Sequence, residues 1–346
     1  MSMRTRLTEL FGIDHPLVLS GMSWISTPEL VAAVSNAGGL GILATGVLDA
    51  PATRTAVQRT RELTARPFGA NVTLYFPGNR VNAEVLIEEH VPIVNYSLGK
   101  GDWICEAVHA YGGKVIATVT TLKHAQAAAR DGADALLVTG HEAAGHGGQV
   151  TSLVLIPSLA DAVGIPIIAA GGFADGRGLA AALALGADGV AMGTRFMNTA
   201  ESPVHGRAKQ ASIDHHMADT VYTTRVDGLP GRYVNAPGAR RIMGRHLNPL
   251  SALIRSRAIA QMLGLPWARL AAGIILSGPA RAIKMARMAI GFDAFKDGCT
   301  TGDLDHGVLP LGQCTALVHD TPTVAELVNR VVTDADQALR RPITAV

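Results

Sequence analysis

Residues 165–196 read IPIIAAGGFADGRGLAAALALGADGVAMGTRF. The stretch opens on the apolar run 165–170, continuous rather than alternating, as in a strand buried on both faces. Gly171 and Gly172 end that run, and Asp175 opens an Ala/Leu-rich helical pattern that stops at Gly186. A second strand-like run, DGVAMGTRF at 188–196, follows at once. Strand, helix and strand in so short a span make a βαβ unit, which requires parallel strands.

Six similar runs lie upstream: PLVLSG (16–21), GLGILATG (39–46), PFGANVTL (67–74), PIVNYSL (92–98), KVIATVT (114–120) and ADALLVTG (133–140). Helical patterns separate them, such as STPELVAAVSNAGG (26–39), with Ser26 and Thr27 as N-cap candidates, Pro28 near N1 and Gly38 as a stop. Eight such units predict an α/β fold of the (β/α)8 TIM-barrel type. An open doubly wound sheet is the rival. Functional-looking glycines after many strands, rather than at one switch point, favour the barrel, and in either fold the active site lies at the carboxyl ends of the strands.

After Thr224 the alternation stops. Residues 225–300 read as helices rich in Arg, Met and Leu, a smaller basic domain inserted before the C-terminal helix. The expected division is therefore 1–224 barrel, 225–300 helical lid or substrate domain, and 301–346 a return onto the barrel. The last helix is expected with Thr321 as cap, Pro322 at N1 and Glu326 in the first turn.

The 346 residues are 48% hydrophobic and 17% charged, a composition that builds a core and argues against disorder. Aromatics at 4% leave few platforms for stacking single-stranded nucleic acid, so no nucleic-acid partner is expected. Cys105, Cys299 and Cys314 lack CxxC spacing and cannot all pair, as expected of buried thiols in a reducing compartment. The N-terminus has no apolar signal-like run and no segment has the length of a membrane span, so a cytoplasmic location is expected. The net charge of +2 conceals a split. Between Gly228 and Phe292 there are ten Lys and Arg and no acid, whereas the rest of the chain holds 20 Lys and Arg against all 28 acids.

The strand ends carry the candidate chemistry. Gly171 and Gly172, beside Ala170 at the end of their strand, and Gly193 with Thr194 in the next unit are placed to form a phosphate site. Backbone N–H groups there are electropositive, and glycine lets an anion approach them; the alternative is a pair of tight turns. In HEAAGHGGQVTS (141–152), Ala144 and Gly145 would let the backbone lie against a flat ring. His146 is either an acid–base group near neutral pH or a hydrogen-bonding brace of the loop, with His141 and Glu142 close by. No third ligand accompanies the two histidines, so no metal is expected. Gly21 and Met22 end the first strand, and Asn71 ends the third with an amide that both donates and accepts.

Together, GMSWIS, NAGGLGIL, RPFGANVTL, GHEAAGHGG, the 165–196 stretch and the terminal LGQ…DTPTVAELV resemble the nitronate monooxygenase (2-nitropropane dioxygenase-like) flavoprotein family, outside about 228–300. That family also contains NADH:quinone reductases and enoyl-reductase-like enzymes. The resemblance implies a TIM barrel binding FMN non-covalently. It places the phosphate on Gly171, Gly172, Gly193 and Thr194, the flavin ring against Gly21, Met22, Asn71, Ala144 and Gly145, and the catalytic role on His146. Two departures stand out. Thr118 lies where related quinone reductases have a lysine near the flavin, and Thr139 where they have an aspartate. Less positive charge then stabilises the reduced ring.

In the basic segment, Arg281, Lys284 and Arg287 recur every three residues, close to one helix face. They form either a solvated surface or a lid that reads the phosphates of a CoA thioester. TTRVDGLPGR (223–232) resembles the matching stretch of family members linked to acyl-CoA steroid-ring catabolism. The leading expectation is FMN-dependent oxidation of alkyl nitronates with O2. The alternatives are an NAD(P)H-dependent reductase or double-bond-forming oxidoreductase acting on a quinone, enone or acyl-CoA, and a barrel that binds a phosphorylated metabolite without redox chemistry. A homodimer is compatible with all three.

Overall fold

The strand β1 (Leu17–Leu19) is followed in chain order by β2 (Leu40–Ala44), β3 (Phe68–Thr73), β4 (Ile93–Ser97), β5 (Lys114–Val119), β6 (Ala135–Thr139), the two-residue β7 (Gly145–His146), β8 (Ile167–Ala170), β9 (Gly189–Met192), β10 (Thr220–Thr223) and β11 (Gly231–Val234). The computed structural model describes residues 3–75, 79–246, 267 and 279–341. β1–β6, β8 and β9 form one parallel sheet that closes on itself, because β9 pairs with β1 through Leu17↔Val190 to Leu19↔Met192. That closure decides for the TIM barrel over an open sheet.

The barrel is filled from both faces of its strands. Val18, Ile42, Ile93, Ile116, Leu137 and Ile168 point inward and pack together, with Leu7, Phe11 and Ile13 plugging the amino-terminal end. The helix Arg6–Phe11 is fixed there by a reciprocal cap at Thr5 and by Arg6, whose guanidinium donates two 2.8 Å bonds to Asp188. Alternate residues such as Leu19, Leu43, Val94, Val115 and Leu136 face the surrounding helices. Each such Val, Leu or Ile stabilises the fold by about 1.5–3 kcal/mol when fully buried.

The helix Gly176–Ala184, capped by Asp175, packs tightly on the last helix, Val324–Arg340. A Cβ at Gly176 would lie 2.4 Å from the Ala335 nitrogen, so only glycine permits the approach. The cap of the last helix is Thr323, not Thr321. The Pro322 carbonyl is held by the Ala200 N–H, which keeps the chain extended for two further residues before Thr323 and Glu326 cap each other.

The stretch 225–300, expected to be mostly helical, also holds a strand. β11 lies within it and pairs antiparallel with β10 on one side and β7 on the other. Tyr233 and Val234 are fully buried there, as β-branched and aromatic residues on a pleated ribbon favour. Val226, Tyr233, Ala239, Ile242, Ile290, Ala294, Phe295 and Val308 form a core of their own, and Trp24 touches both this core and that of the barrel. The long helix Pro279–Thr301 supplies three of its members. Arg255, Arg257 and Arg269 lie outside the described residues. Among those described, no helix is long and apolar enough to cross a membrane.

Candidate active site

β6, β8 and β9 end side by side, and the loops that follow them are tied together. A Cβ at Gly140 would sit 2.1 Å from Ser152 Oγ. That hydroxyl lies 2.7 Å from the Gly171 carbonyl and 3.0 Å from the Glu142 carboxylate, which also accepts the Ser152 N–H. Glu142 is thus a loop brace. Gly171 (φ +98°) and Gly172 (φ +89°) occupy the left-handed region that costs other residues about 1–2 kcal/mol. The N–H groups of Gly171, Gly172, Gly193 and Thr194 have no hydrogen-bond partner among the described residues. Four unpaired donors on two adjacent loops suit an oxyanion.

Thr194 is buried, and its hydroxyl accepts the Gly312 N–H at 3.1 Å. The Gln313 N–H donates to the Glu142 carbonyl at 2.9 Å. The C-terminal LGQ at 311–313 therefore bridges the loops after β6 and β9, with Gly312 close to Ala144 and Thr194. Sequence reasoning noted this motif but gave Gly312 no role; its glycine was the signal.

Across the mouth, Asn71 Nδ2 donates to Asn95 Oδ1 at 2.7 Å, and Asn95 Nδ2 donates to Thr118 Oγ1 and to the Ile116 carbonyl at 3.0 Å. Strand register puts Asn71 opposite Asn95, so a polar ladder crosses three adjacent strand ends. Asn95 was missed, although an amide inside the apolar run 92–98 was its signal. Thr118 is half-buried in a strand otherwise mostly buried, and Thr139 is buried at the end of β6. Gly21 abuts Asn71, where a Cβ would come within 2.5 Å, and a Cβ at Gly193 would lie 3.2 Å from Met22 Sδ. Gly21, Met22, Asn71, Thr118 and Gly193 therefore share one mouth.

Ala144 leads into β7, whose first residue is Gly145 (φ +63°), and nothing lies within 4 Å of a Cβ built there. His146 follows, paired with Gly231 of β11. Its Nε2 is 2.6 Å from Asp227 Oδ2; the Asp227 side chain is 2% exposed and that of His146 30%. Nδ1 has no partner among the described residues.

His141 belongs to the opposite face of the ribbon. Its ring packs on Tyr222 at 4.5 Å and its Nδ1 lies 3.0 Å from the Gly148 carbonyl. Tyr222 donates its hydroxyl to the Gly147 carbonyl at 2.9 Å. On that face Arg232, 4% exposed, donates to the His141 carbonyl and to Thr220 Oγ1, and burial pushes its pKa down. Arg232, counted with the basic segment, is an internal strut and no part of a basic surface. Lys284 Nζ lies 5.2 Å from the Tyr75 ring centre, and Arg287 donates to the Arg225 carbonyl at 2.8 Å. The Arg281 side chain lies outside the described residues.

Residues 4–334 match the family model described as nitronate monooxygenase. The chain belongs to the nitronate monooxygenase family. A Rhodococcus jostii relative, (3aS,4S,5R,7aS)-5-hydroxy-7a-methyl-1-oxo-octahydro-1H-indene-4-carboxyl-CoA dehydrogenase, is 38% identical over 96% of both chains. A probable nitronate monooxygenase from Staphylococcus saprophyticus is 33% identical over 67% of this chain and 79% of that one. The solved structure of FabK from Thermotoga maritima superposes with a TM-score of 0.83 at 34% identity, covering 98% of each chain. Members of the family are oxidoreductases and generally flavin-dependent. The mouth of this barrel fits a flavin mononucleotide. The four unpaired N–H groups match a phosphate, and the open space at Gly145, where a Cβ would meet nothing within 4 Å, leaves room for a ring to lie close to the backbone.

Proposed function

We propose that the protein is an FMN-dependent oxidoreductase that oxidises a hydroxyl group on an alicyclic acyl-CoA. The observation that carries this reading is His146: a half-buried imidazole in the loop after β6, with Nε2 engaged and Nδ1 without a partner among the described residues. A neutral alcohol must lose its hydroxyl proton during oxidation, and an open ring nitrogen is a base for that proton. The near-full-length likeness to the Rhodococcus hydroxy-indene-carboxyl-CoA dehydrogenase supports the substrate class, against two-thirds coverage for the Staphylococcus relative.

In this reading the N–H groups of Gly171, Gly172, Gly193 and Thr194, beside Ala170, hold the phosphate. Gly21, Met22, Asn71, Thr118, Thr139, Ala144 and Gly145 line the ring. Bound there, FMN supplies a two-electron oxidant for the hydrogen and electron pair leaving the carbinol carbon. His146 takes the hydroxyl proton at Nδ1 as the carbonyl forms. On the helix Pro279–Thr301, Lys284 offers its charge to the CoA phosphates, and Arg287 has one N–H committed to the Arg225 carbonyl.

The family description favours a second reading, oxidation of alkyl nitronates with O2. Anaerobic mixing separates the two. Bleaching of the flavin by an alicyclic hydroxyacyl-CoA, but not by a nitronate, supports the first; the reverse supports the second. Bleaching by NAD(P)H alone would instead make the protein a reductase.

A further inference from the structure

We infer that Asp227 is the positioning residue for His146, holding the imidazole as its Nε2–H tautomer so that the Nδ1 lone pair faces the substrate hydroxyl. The inference deepens the proposed function and rests on its placement of His146 at the reacting group. A carboxylate only accepts, so the nitrogen 2.6 Å from Asp227 Oδ2 must carry the proton. In the neutral ring that leaves Nδ1 bare, and a bare nitrogen is what a base requires.

Asp227 is built to stay in place. Its second oxygen accepts the Leu229 N–H at 3.0 Å, across a turn in which Gly228 has φ +89°. The helix Pro279–Thr301 closes over it: a Cβ at Gly291 would lie 2.5 Å from Asp227 Cβ, so glycine lets the helix press the aspartate toward the ribbon. The β7–β11 pairing fixes the backbone of His146. Burial, with Asp227 close by, pushes the Tyr233 phenol up and keeps it neutral. The Tyr222 hydroxyl is committed to Gly147, Arg232 occupies the other face, and Lys284 packs its methylenes on Gly228. Among the described residues Asp227 is the one acid bonded to the ring.

The proton balance is local. The substrate O–H bond breaks, its proton moves to Nδ1, and the resulting imidazolium remains paired with the ionised Asp227, a charge-assisted bond stronger than a neutral one. Without the carboxylate the ring is free to turn or to take the other tautomer, with its proton on the nitrogen that must accept one.

The test is 15N imidazole NMR of the holoenzyme, about two pH units above the ordinary imidazole value. The His146 signals are assigned by their loss in His146→Gln. Wild type should show a protonated Nε2 and a bare Nδ1. In Asp227→Asn, whose amide N–H can donate to Nε2, the proton should move to Nδ1. Turnover should fall about 10²–10⁴-fold, with KM changed by less than a few-fold and flavin content unchanged. A bare Nε2 in wild type overturns the inference without recourse to any variant, as does an Asp227→Asn enzyme with the wild-type tautomer and turnover. If the tautomers behave as expected but no hydroxyacyl-CoA is turned over, the substrate reading fails and the role of Asp227 in holding the ring stands.

Discussion

Arg232 directs two guanidinium N–H groups, from Nε and Nη2, at the carbonyl oxygen of His141, each at 3.1 Å. A cation from the acid-free segment thereby reaches inside and holds the first residue of the loop that carries His146. Replacing Arg232 with Met should leave the His141 carbonyl without its donor and remove the strut between β11 and that loop. The expected loss is about 1–3 kcal/mol of stability, seen in chemical denaturation, together with reduced turnover. Arg232→Lys should restore only part of either, since an ammonium lacks the planar fork.

Gly172→Ala tests the cradle. A Cβ there meets only Glu142, at an ordinary 3.5 Å, so the cost comes from φ +89°. A strain of about 1–2 kcal/mol per left-handed non-glycine residue should show as FMN affinity weakened roughly 5–30-fold in a fluorescence titration, with the barrel still folded.

Lys284→Ala should weaken binding of an acyl-CoA while leaving FMN content unchanged. A half-buried, solvent-accessible charge of this kind contributes about 1 kcal/mol, hence a loss of roughly three- to five-fold in calorimetry. Raising the salt should shrink the difference between wild type and variant, because the Debye length falls to about 3 Å at 1 M.

Asp320 sets an acid limit. The hydrogen-bonded Arg330 guanidinium, reinforced by Arg195, holds its carboxyl below the ordinary 3.8, against a smaller opposing effect of burial. A depressed folded-state value means that the stability from this pair is present above the unfolded value and is lost as pH falls below it. Because the Asp320 side chain is 44% exposed, water screens the pair. Melting temperature in wild type should therefore drop more steeply than in Asp320→Asn as pH falls below about 4.

Much of the barrel was legible because its signals are local. Continuous apolar runs such as 165–170, each ended by glycines and a capped helix, specify parallel buried strands without reference to distant residues. The glycine turn after β8 was legible for the same reason: Gly171 and Gly172 announce their left-handed backbone geometry in the residue type itself. The ribbon was not. β7 has two residues and becomes a strand only because β11 pairs with it, so neither carries a periodicity of its own. Asp227 escaped for a related reason. Its meaning arises from contact with His146, 81 positions away, and its place at the edge of an acid-free stretch looked like a boundary. The burial of Arg232 was not legible either, because charge composition predicts exposure, whereas hydrogen bonds to His141 and Thr220 make its burial tolerable.

The most direct test is anaerobic reduction of the purified protein, supplied with FMN, by an alicyclic hydroxyacyl-CoA, followed by the flavin absorbance near ~450 nm, in wild type and in His146→Ala. The account predicts rapid bleaching of the wild type and, in the variant, the same flavin content with bleaching slowed about 10²-fold or more. A colourless protein that takes up no FMN, or equal bleaching rates in the two proteins, would contradict it.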